Sequence, residues 1–495
     1  MLKNILFSVL IIVLISFLFG NTINAQWTQI GNDIDGEATE DEFGYSVSLS
    51  SDGSIVAIGA YMNDGGGQSS GHVRVYENVA GNWTQKGNDI DGEANGDYSG
   101  NSVSLNSDGS TVAIGAQGNN GIGIDVGHVR VYEYNGSNWI QIGNDIDGEA
   151  DDDNSGHSVS LNSDGSTVAI GAQGNNGIGI DVGHVRVYEY NGSNWIQIGN
   201  DIDGEANGDY SGHSVSLSSD GSIVAIGAYM NDGNGTNAGH VRVYENIGGN
   251  WIQIGNDIDS EASGDNSGYS VSLSSDGSIV AIGAPFNNGN GTYVGHVRVY
   301  ENIGGNWTQI GNDIDGEADD DWSGHSVNLN SDGSIVAIGT PYNDDNGNNS
   351  GHVRVYEYNG SNWVQVGSDI DGEASGDELG NSVSLSSDGS IVAIGAHFNN
   401  GIGFKVGHVR VFNNPTLGIN INSPNKNISI YPNPTTGKIR VNKKDIQKIE
   451  IIDIHGKQIY IGNTNEIDIS KQSKGIYFIK VITQNGVGVK KVILE

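Results

Sequence analysis

Residues 102–150 read SVSLNSDGSTVAIGAQGNNGIGIDVGHVRVYEYNGSNWIQIGNDIDGEA, and residues 158–206 repeat this stretch letter for letter. The same pattern, with substitutions, extends in both directions and gives seven units of 56 residues without an insertion. A tryptophan and a histidine mark every unit: Trp27, Trp83, Trp139, Trp195, Trp251, Trp307 and Trp363, and His72, His128, His184, His240, His296, His352 and His408. Repetition at a fixed period of this length indicates a solenoid, a propeller or another array, so it decides the fold.

Each unit has the pattern of four short strands separated by turns. In the first unit we expect strands over residues 27–34, 45–50, 55–60 and 72–77, with a tight turn at Ser51, Asp52 and Gly53. No part of the unit shows the periodicity of a helix. Four strands repeated seven times predict an all-β fold, a seven-bladed β-propeller, over residues 26–412.

The competing architecture is an open solenoid, whose terminal repeats should be modified into polar caps. The first and last units of this chain are as regular as the middle ones. The units also begin with the strand at Trp27 and stop after the histidine strand at Phe412. We therefore expect the N-terminal strand, residues 27–34, to complete the last blade and close the ring. The chain has no cysteine, so no disulfide can take that role.

Short motifs within the units resemble the FG-GAP repeat of integrin α-subunit propellers and related bacterial surface proteins. The resemblance rests on Phe43-Gly44, Ser46-Val47, Asp52-Gly53, Gly59-Ala60 and Gly283-Ala284-Pro285. Only the first unit keeps Phe before Gly, and only Pro285 and Pro341 stand at the proline position. Integrin-type members bind calcium in an Asp-x-Asp-x-Asp-Gly-x-x-Asp loop, where this chain has a plain Ser-Asp-Gly-Ser turn. The calcium site that the resemblance implies is therefore missing.

Every unit carries another acidic set, outside the integrin-type loop position, at offsets that would let a flexible loop offer oxygen ligands to Ca²⁺. The candidate ligands are Asp33, Asp35, Glu37 and Asp41 in the first unit, and Asp145, Asp147, Glu149 and Asp153 in the third. The alternative is that these carboxylates are solvated at a strand end and keep the protein soluble. Ca²⁺ is thus a possible cofactor.

The strand Gly-His-Val-Arg-Val-Tyr recurs in most units. Its histidines lie on separate blades, too far apart to share one ion, because metal ligands lie about 2 Å from the metal. We therefore expect the histidines to pack within the blades. Arg74 and its equivalents are nearly the only cations of the units, and we expect each to pair with a carboxylate of its own or the neighbouring blade.

The composition and the repetition exclude several classes of function. With 60 Asp and Glu against 22 Lys and Arg, the net charge of −38 excludes a nucleic-acid-binding protein. Catalysis needs several different groups at one place, and nearly identical blades do not provide them, so we expect no enzyme.

Differences between the units fall in two loops. One loop carries Tyr98, Tyr210 and Trp322, and the other carries Tyr61 and Tyr229. Aromatic rings among Asn and Asp can stack on sugars, so Tyr98, Tyr210 and Trp322 are the candidate ligand-binding residues. The alternative is that these rings pack between blades.

The N-terminus, residues 1–25, is typical of a cleaved secretory signal peptide. Lys3 precedes an apolar run over residues 5–19, and cleavage is expected after Ala25. The alternative is a membrane anchor, but about 15 apolar residues are fewer than the roughly 20 that span a bilayer. We expect no transmembrane segment in the mature chain.

The charge changes sign near the C-terminus. Residues 26–412 hold 9 Lys and Arg against 54 Asp and Glu, whereas residues 413–495 hold 12 against 6. This change predicts a linker over residues 413–426 and a separate β domain over residues 427–495.

Residues 427–495 resemble the type A C-terminal sorting domain of the type IX secretion system. The matching residues are Tyr431, Pro432, Asn433, Pro434, Gly437, Gly456, Lys457, Gly475 and Tyr477. The resemblance implies export in two steps, with the type IX machinery as partner for passage across the outer membrane, and a domain that is commonly removed afterwards.

Taken together, the sequence predicts a secreted or cell-surface propeller that acts in binding or adhesion. The ligand would be an extracellular glycan or protein. Three alternatives stay open: a calcium-dependent glycan-binding lectin, a polysaccharide-acting enzyme, and a structural surface coat without a ligand.

Overall fold

The computed structural model describes residues 26–121, 123–289, 291–414, 430–431, 435–442, 446–453, 458–472, 474–483 and 486–494. The expected signal peptide and residues 415–426 of the expected linker lie outside the described residues. The chain divides into two compact regions, an N-terminal region, Met1–Asn414, and a C-terminal region, Pro415–Glu495. All regular structure in the described ranges is strand, and among them no helix is long and apolar enough to cross a membrane.

The N-terminal region contains seven antiparallel sheets, each with four strands and a short fifth segment that pairs with the third strand. In six of them the strands follow one another along the chain, and in the last sheet the N-terminal segment supplies the fourth strand and the fifth segment. The innermost strands are Ser46–Leu49, Ser102–Leu105, Ser155–Leu161, Ser214–Leu217, Ser270–Leu273, Ser326–Leu329 and Ser382–Leu385. The second strands are Ile55–Ala60, Thr111–Ala116, Thr167–Ala172, Ile223–Ala228, Ile279–Ala284, Ile335–Thr340 and Ile391–Ala396. The third strands are His72–Val79, His128–Tyr134, His184–Tyr190, His240–Asn246, His296–Ile303, His352–Tyr358 and His408–Asn413.

The outer edge of each of the first six blades is formed by the next tryptophan segment along the chain, and that of the last blade by the first tryptophan segment. The fourth strands are Asn82–Gln85, Trp139–Gln141, Trp195–Gln197, Trp251–Gln253, Asn306–Gln309, Trp363–Gln365 and Thr28–Gln29. The fifth segments are Ile90–Asp91, Ile146–Asp147, Ile202–Asp203, Ile258–Asp259, Ile314–Asp315, Ile370–Asp371 and Ile34–Asp35. Seven such sheets make the predicted seven-bladed β-propeller.

The second strand is the core of each blade, because both of its faces are covered. All six residues of Ile55–Ala60 are buried, which fits the near-continuous apolar sequence of a strand that meets neighbours on both sides. Gly59 lies where the backbone of the next blade approaches most closely. A Cβ atom there would lie 2.0 Å from the carbonyl oxygen of Gly100, so only glycine allows the blades to pack.

The prediction of one continuous strand over residues 27–34 is wrong. The structure has two short pieces, Thr28–Gln29 and Ile34–Asp35, separated by a turn. Gly31 has φ +74° in this turn, a conformation that interrupts a strand. Both pieces pair with His408–Asn413, so the prediction that this segment completes the last blade is confirmed.

Hydrogen bonds around the inner edge show that the ring is closed. The backbone N–H of Ser51 donates to the carbonyl of Ser107 at 2.8 Å, and the same bond recurs from each unit to the next. The seventh bond runs from Ser387 back to Ser51, also at 2.8 Å. A circle of seven bonds that returns to its starting residue confirms the propeller and excludes the open solenoid.

In the C-terminal region, the described residues form two small antiparallel sheets. One contains Ile430–Tyr431, Lys438–Val441 and Glu466–Asp468, and the other contains Gln458–Gly462, Ile446–Asp453, Gly475–Thr483 and Gly486–Leu494. Their shared core includes Ile439, Ile449, Ile467 and Val481. This arrangement confirms a small, separately packed β domain.

Candidate ligand-binding face

Two segments of every unit lie at the same end of the blades. One segment leads into the innermost strand (residues 36–45 in the first unit), and the other connects the second and third strands (residues 61–71). In an antiparallel sheet both connections emerge at one end. We call this end, with its equivalents in all units, the loop face.

Backbone hydrogen bonds join the loop face of one unit to that of the next. The N–H of Tyr98 donates to the carbonyl of Ser69 at 3.2 Å, and the N–H of Ser99 donates to Ser70 at 2.9 Å. Equivalent bonds recur around the ring, for example from Tyr210 to Asp181 at 3.1 Å. The loop face is therefore one continuous surface held by its backbone.

The candidate ligand-binding residues lie on this face, and the structure brings the two variable loops together. The ring of Tyr98 is 6.0 Å from that of Tyr61, and the ring of Tyr210 is 5.9 Å from that of Tyr229. The Trp322 ring lies 4.5 Å from Phe286, which belongs to the preceding unit. All of these side chains are half-buried. They pack across loops, as the alternative interpretation expected, and each keeps a solvent-exposed part.

The backbone at these positions is in the left-handed region. Tyr98, Tyr210 and Trp322 have φ of 55°, 53° and 58°. Asn154 and Asn266, the equivalent residues of two other units, have φ of 53° and 56° and suit this conformation, because asparagine tolerates it. Large aromatic residues in the same conformation are strained by of order 1–3 kcal/mol each, and such strain clusters at functional sites.

The innermost strands of all seven blades line a central channel. A further set of polar and aromatic side chains lies where these strands begin at the loop face, an end that we call the mouth of the channel. The rings of His157 and His213 are 4.8 Å apart, His213 and Tyr269 are 4.7 Å apart, and Tyr269 and His325 are 5.0 Å apart. These residues were not among the candidates predicted from the sequence. They occupy the position directly after the loop glycine, and the variation there between Tyr, Asn and His was the available signal.

The histidines at the mouth are held neutral. Burial lowers the pKa of His157 and of His325 to about 4. The Nδ1 atom of His157 lies 2.7 Å from the amide oxygen of Gln117, and that of His213 lies 2.8 Å from Gln173. The mouth therefore offers neutral hydrogen-bonding groups and aromatic faces.

Acidic residues mark the seam between the last and first units. Glu42 accepts a hydrogen bond from the Tyr61 hydroxyl at 2.8 Å and lies 3.9 Å from the Lys405 amine. Burial raises the pKa of Glu378 to about 7, and Glu42 raises it further while Lys405 opposes the shift. The His397 ring lies 3.8 Å from Glu378, but burial lowers its pKa to about 3, so these two groups do not form an ion pair near neutral pH.

The candidate calcium ligands of the first unit are divided between different surroundings. Asp33 clusters with Glu373 and His408, whereas Glu37 clusters with His72 and Asp89.

The two remaining candidates of that unit have other roles. The carboxylate of Asp41 is buried and accepts a hydrogen bond from the N–H of Ala38 at 2.9 Å, which closes its own loop. Asp35 lies in the fifth segment, and burial and the neighbouring Asp33 raise its pKa.

The third unit repeats this division. Asp145 clusters with Glu93 and His128, whereas Glu149 clusters with His184 and Asp201. Asp153 is fully buried and accepts hydrogen bonds from Glu149 N at 2.9 Å and from the Asn175 amide at 3.1 Å. The carbonyl of Asp147 accepts from Arg186 at 2.7 Å. The first and last carboxylates of each predicted set therefore stabilise different parts of the ring.

The predicted arginine pairs are confirmed. Arg74 lies 3.3 Å from Glu37, and Arg186 lies 3.4 Å from Glu149. The guanidinium groups are buried and lie over tyrosine rings, with Arg186 5.6 Å from the Tyr188 centroid. In both pairs the glutamate lies in the loop before the innermost strand and the arginine lies in the third strand of the same blade. Each pair therefore holds that loop against its blade.

The third-strand histidines are buried, as expected. Burial and the neighbouring Arg74 lower the pKa of His72 to about 4, against the opposite effect of Asp89. The positions of these histidines in the sequence did not reveal their acidic neighbours: in the first unit, one donor atom each of Glu37, His72 and Asp89 lies within 4.8 Å of the others.

In the C-terminal region, the structure describes only some of the predicted sorting-signal residues. Tyr431 is exposed and Tyr477 is buried in the core. Gly437 has φ +136°, and a Cβ atom there would lie 2.3 Å from the Cβ of Ser470. Gly475 begins a strand. Pro432, Asn433, Pro434, Gly456 and Lys457 lie outside the described residues.

Comparison with protein families gives two matches. The model of the secretion system C-terminal sorting domain matches residues 429–495, and that of the FG-GAP repeat matches residues 34–76 and 202–244. No curated protein matches the chain.

Two solved structures illustrate the structural likeness. A periplasmic gluconolactonase of Pseudomonas aeruginosa has 15% sequence identity and a TM-score of 0.47, over 67% of this chain and 85% of its own. A putative 6-phosphogluconolactonase from Bacteroides uniformis has 11% identity and a TM-score of 0.49, over 88% of this chain and 98% of its own. At this distance neither structure carries an argument about activity.

Proposed function

Because the chain is an FG-GAP repeat propeller that ends in a type IX C-terminal sorting domain, we propose that it is an adhesion module that binds a neutral polysaccharide through its loop face. The sorting domain makes it a secreted or cell-surface protein exported by the type IX secretion system. The propeller would then meet its ligand outside the cell.

The observation that carries the proposal is the strained aromatic set of the loop face. Tyr98, Tyr210 and Trp322 hold left-handed backbone conformations that Asn154 and Asn266 adopt without strain in other units. Glu42 and Glu378 hold the same conformation in the first and seventh units, so the backbone is kept whichever side chain a unit carries, and Asn is the residue that suits it best. Partly exposed rings at these positions are suited to stacking on the apolar faces of sugars.

The arrangement of the rings favours a polymer over a small molecule. The three residues belong to the second, fourth and sixth units, so they occur in alternate blades around the channel mouth. Several weak stacking sites on one rigid ring increase the effective affinity for a chain that can occupy more than one of them.

The charge of the propeller favours a neutral ligand. Its 54 Asp and Glu against 9 Lys and Arg would repel an acidic polysaccharide. The neutral imidazoles and amides at the mouth, such as His157 and Gln117, can donate and accept hydrogen bonds with sugar hydroxyls.

A glycan array tests the proposal with the full chain and a variant that combines Tyr98→Asn, Tyr210→Asn and Trp322→Asn. We expect the wild type to bind neutral polysaccharides and the variant, which carries the asparagine of the third and fifth units, to lose that binding while it stays folded. Equal binding by both proteins would refute the role of the rings. Binding that vanishes with a calcium chelator would favour the lectin alternative, and turnover of a bound polysaccharide would favour an enzyme.

A further inference from the structure

The sixth unit differs from the other six at one position beside its buried histidine. It carries Asp345, where the other units carry Gly65, Gly121, Gly177, Gly233, Gly289 and Gly401. One donor atom from each of Glu317, Asp345, His352 and Asp369 lies within 4.8 Å of the others. The corresponding group in the third unit has three members, Glu149, His184 and Asp201.

His352 provides a second and independent observation. Its side chain is fully buried at 0% exposure, and neither ring nitrogen has a hydrogen-bond partner. Buried polar atoms are almost always satisfied, so a buried imidazole whose donor atom faces three carboxylates lacks its natural partner. An ion between these groups would supply it.

The charge of the cluster suits a divalent ion. The Arg354 guanidinium lies 3.3 Å from the Glu317 carboxylate and contributes one positive charge. With three carboxylates the group carries two negative charges in total, whereas the three-membered groups of other units carry one. A divalent cation neutralises the sixth group without leaving an excess charge.

We propose that Glu317, Asp345, His352 and Asp369 bind one divalent transition-metal ion, such as Zn²⁺ or Mn²⁺. An imidazole nitrogen with carboxylate oxygens is a donor set that such ions accept. Donors about 2 Å from a metal lie at most about 4 Å from one another, so the groups need to approach by less than about 1 Å. Glu317 and Asp369 belong to the acidic sets of successive units, so this is not the calcium site that the sequence suggested.

The site is open to the ions of the surroundings. Asp345 and Glu317 are exposed, Asp369 is half-buried, and only His352 is enclosed. The ion would join three parts of one blade through its carboxylate ligands. Glu317 lies in the loop before the innermost strand, Asp345 in the loop before the third strand, and Asp369 at the outer edge. The ion would therefore fasten the sixth blade.

The test is titration of the metal-free full chain with Zn²⁺ by calorimetry and with Mn²⁺ by electron paramagnetic resonance. We expect one ion of either metal per chain at the tightest site. Asp345→Gly installs the residue of the other six units, so it should fold normally and weaken this binding at least tenfold. Gly177→Asp should create a second site with Glu149, His184 and Asp201 and raise the stoichiometry to two.

Three results would overturn the proposal. They are the absence of tight binding to the wild type, unchanged binding in Asp345→Gly, and a stoichiometry that stays at one in Gly177→Asp. His352→Gln separates nitrogen from oxygen ligation, because binding of Zn²⁺ should fall in this variant. Unchanged Zn²⁺ affinity in a folded His352→Gln protein would also contradict the assignment.

Discussion

The indole Nε1 of Trp27 donates a hydrogen bond to the backbone carbonyl of Val366 at 3.0 Å, although 339 residues separate them. In every other unit the tryptophan donates to a carbonyl 53 residues earlier, as Trp83 does to Ile30 at 2.9 Å. The Trp27 bond is therefore the same contact, made across the two ends of the ring. It shows that the N-terminal segment takes the place of a regular outer strand in the last blade.

Trp27→Ala should destabilise the closed ring. Trp27 is 7% exposed, and replacement of a buried Trp by Ala lowers the free energy of unfolding by about 3–5 kcal/mol. Urea unfolding of the full chain measures the change. Trp195→Ala is the matched control, since Trp195 is 6% exposed and makes the same bond within the ring. A large effect of Trp195→Ala with less than about 1 kcal/mol for Trp27→Ala would show that the N-terminal segment is not docked.

Trp322→Asn should weaken polysaccharide binding and leave the fold intact. The asparagine relieves the left-handed strain, as Asn154 and Asn266 show, and removes the stacking surface. We expect the dissociation constant to rise at least about tenfold, which is about 1.4 kcal/mol. The control is Ile196→Thr, which changes an exposed outer-strand residue to the threonine found at Thr84 and Thr308. Comparable losses in both variants would mean that the ligand does not bind at the loop face.

Glu378 should make stability depend on pH. Burial raises its pKa from 4.5 to about 7 in the folded protein. Between these two pH values the folded state therefore keeps a proton that the unfolded state has lost. Stability from this group is complete below about pH 4.5 and is lost as the pH rises through about 7. Glu378→Gln should remove this decrease, which unfolding at pH 5 and pH 8 measures. Equal pH dependence of the two proteins would contradict the shift.

Gly437→Val should impair export. A Cβ atom at this residue would lie 2.3 Å from the Cβ of Ser470, and φ +136° is unfavourable for valine, so the sorting domain should be distorted. We expect the variant protein to be retained in the cell, as measured by its fraction in the medium and on the surface. Lys438→Gln, at an exposed neighbouring position, is the control. Normal export of Gly437→Val would show that sorting does not depend on the fold of this domain around Gly437.

The repeat made the architecture predictable. A fixed period with one Trp and one His per unit fixes the number of blades, and the phase of the units identifies Trp27 as part of the last blade. The break at Gly31 was not predicted, because its left-handed φ depends on a turn whose sequence, Ile-Gly-Asn-Asp, also fits a strand end.

The site was predictable only in part. Variation between units pointed to Tyr98, Tyr210 and Trp322, but not to their contacts with rings such as Phe286, because spacing along one unit does not show which loops of neighbouring blades meet. The contacts of the acidic sets were not predictable for the same reason. Glu317 and Asp369 come together across a blade, whereas the sequence groups each with its own loop.

Hydrogen–deuterium exchange on the full chain, with and without the polysaccharide that the array identifies, locates the bound ligand on the propeller. We expect ligand to slow exchange at the loop face, in residues 95–101, 207–213 and 319–325, and to leave the Ser-Asp-Gly-Ser turns at the opposite end unchanged. Protection confined to those turns or to the outer strands would contradict binding at the loop face.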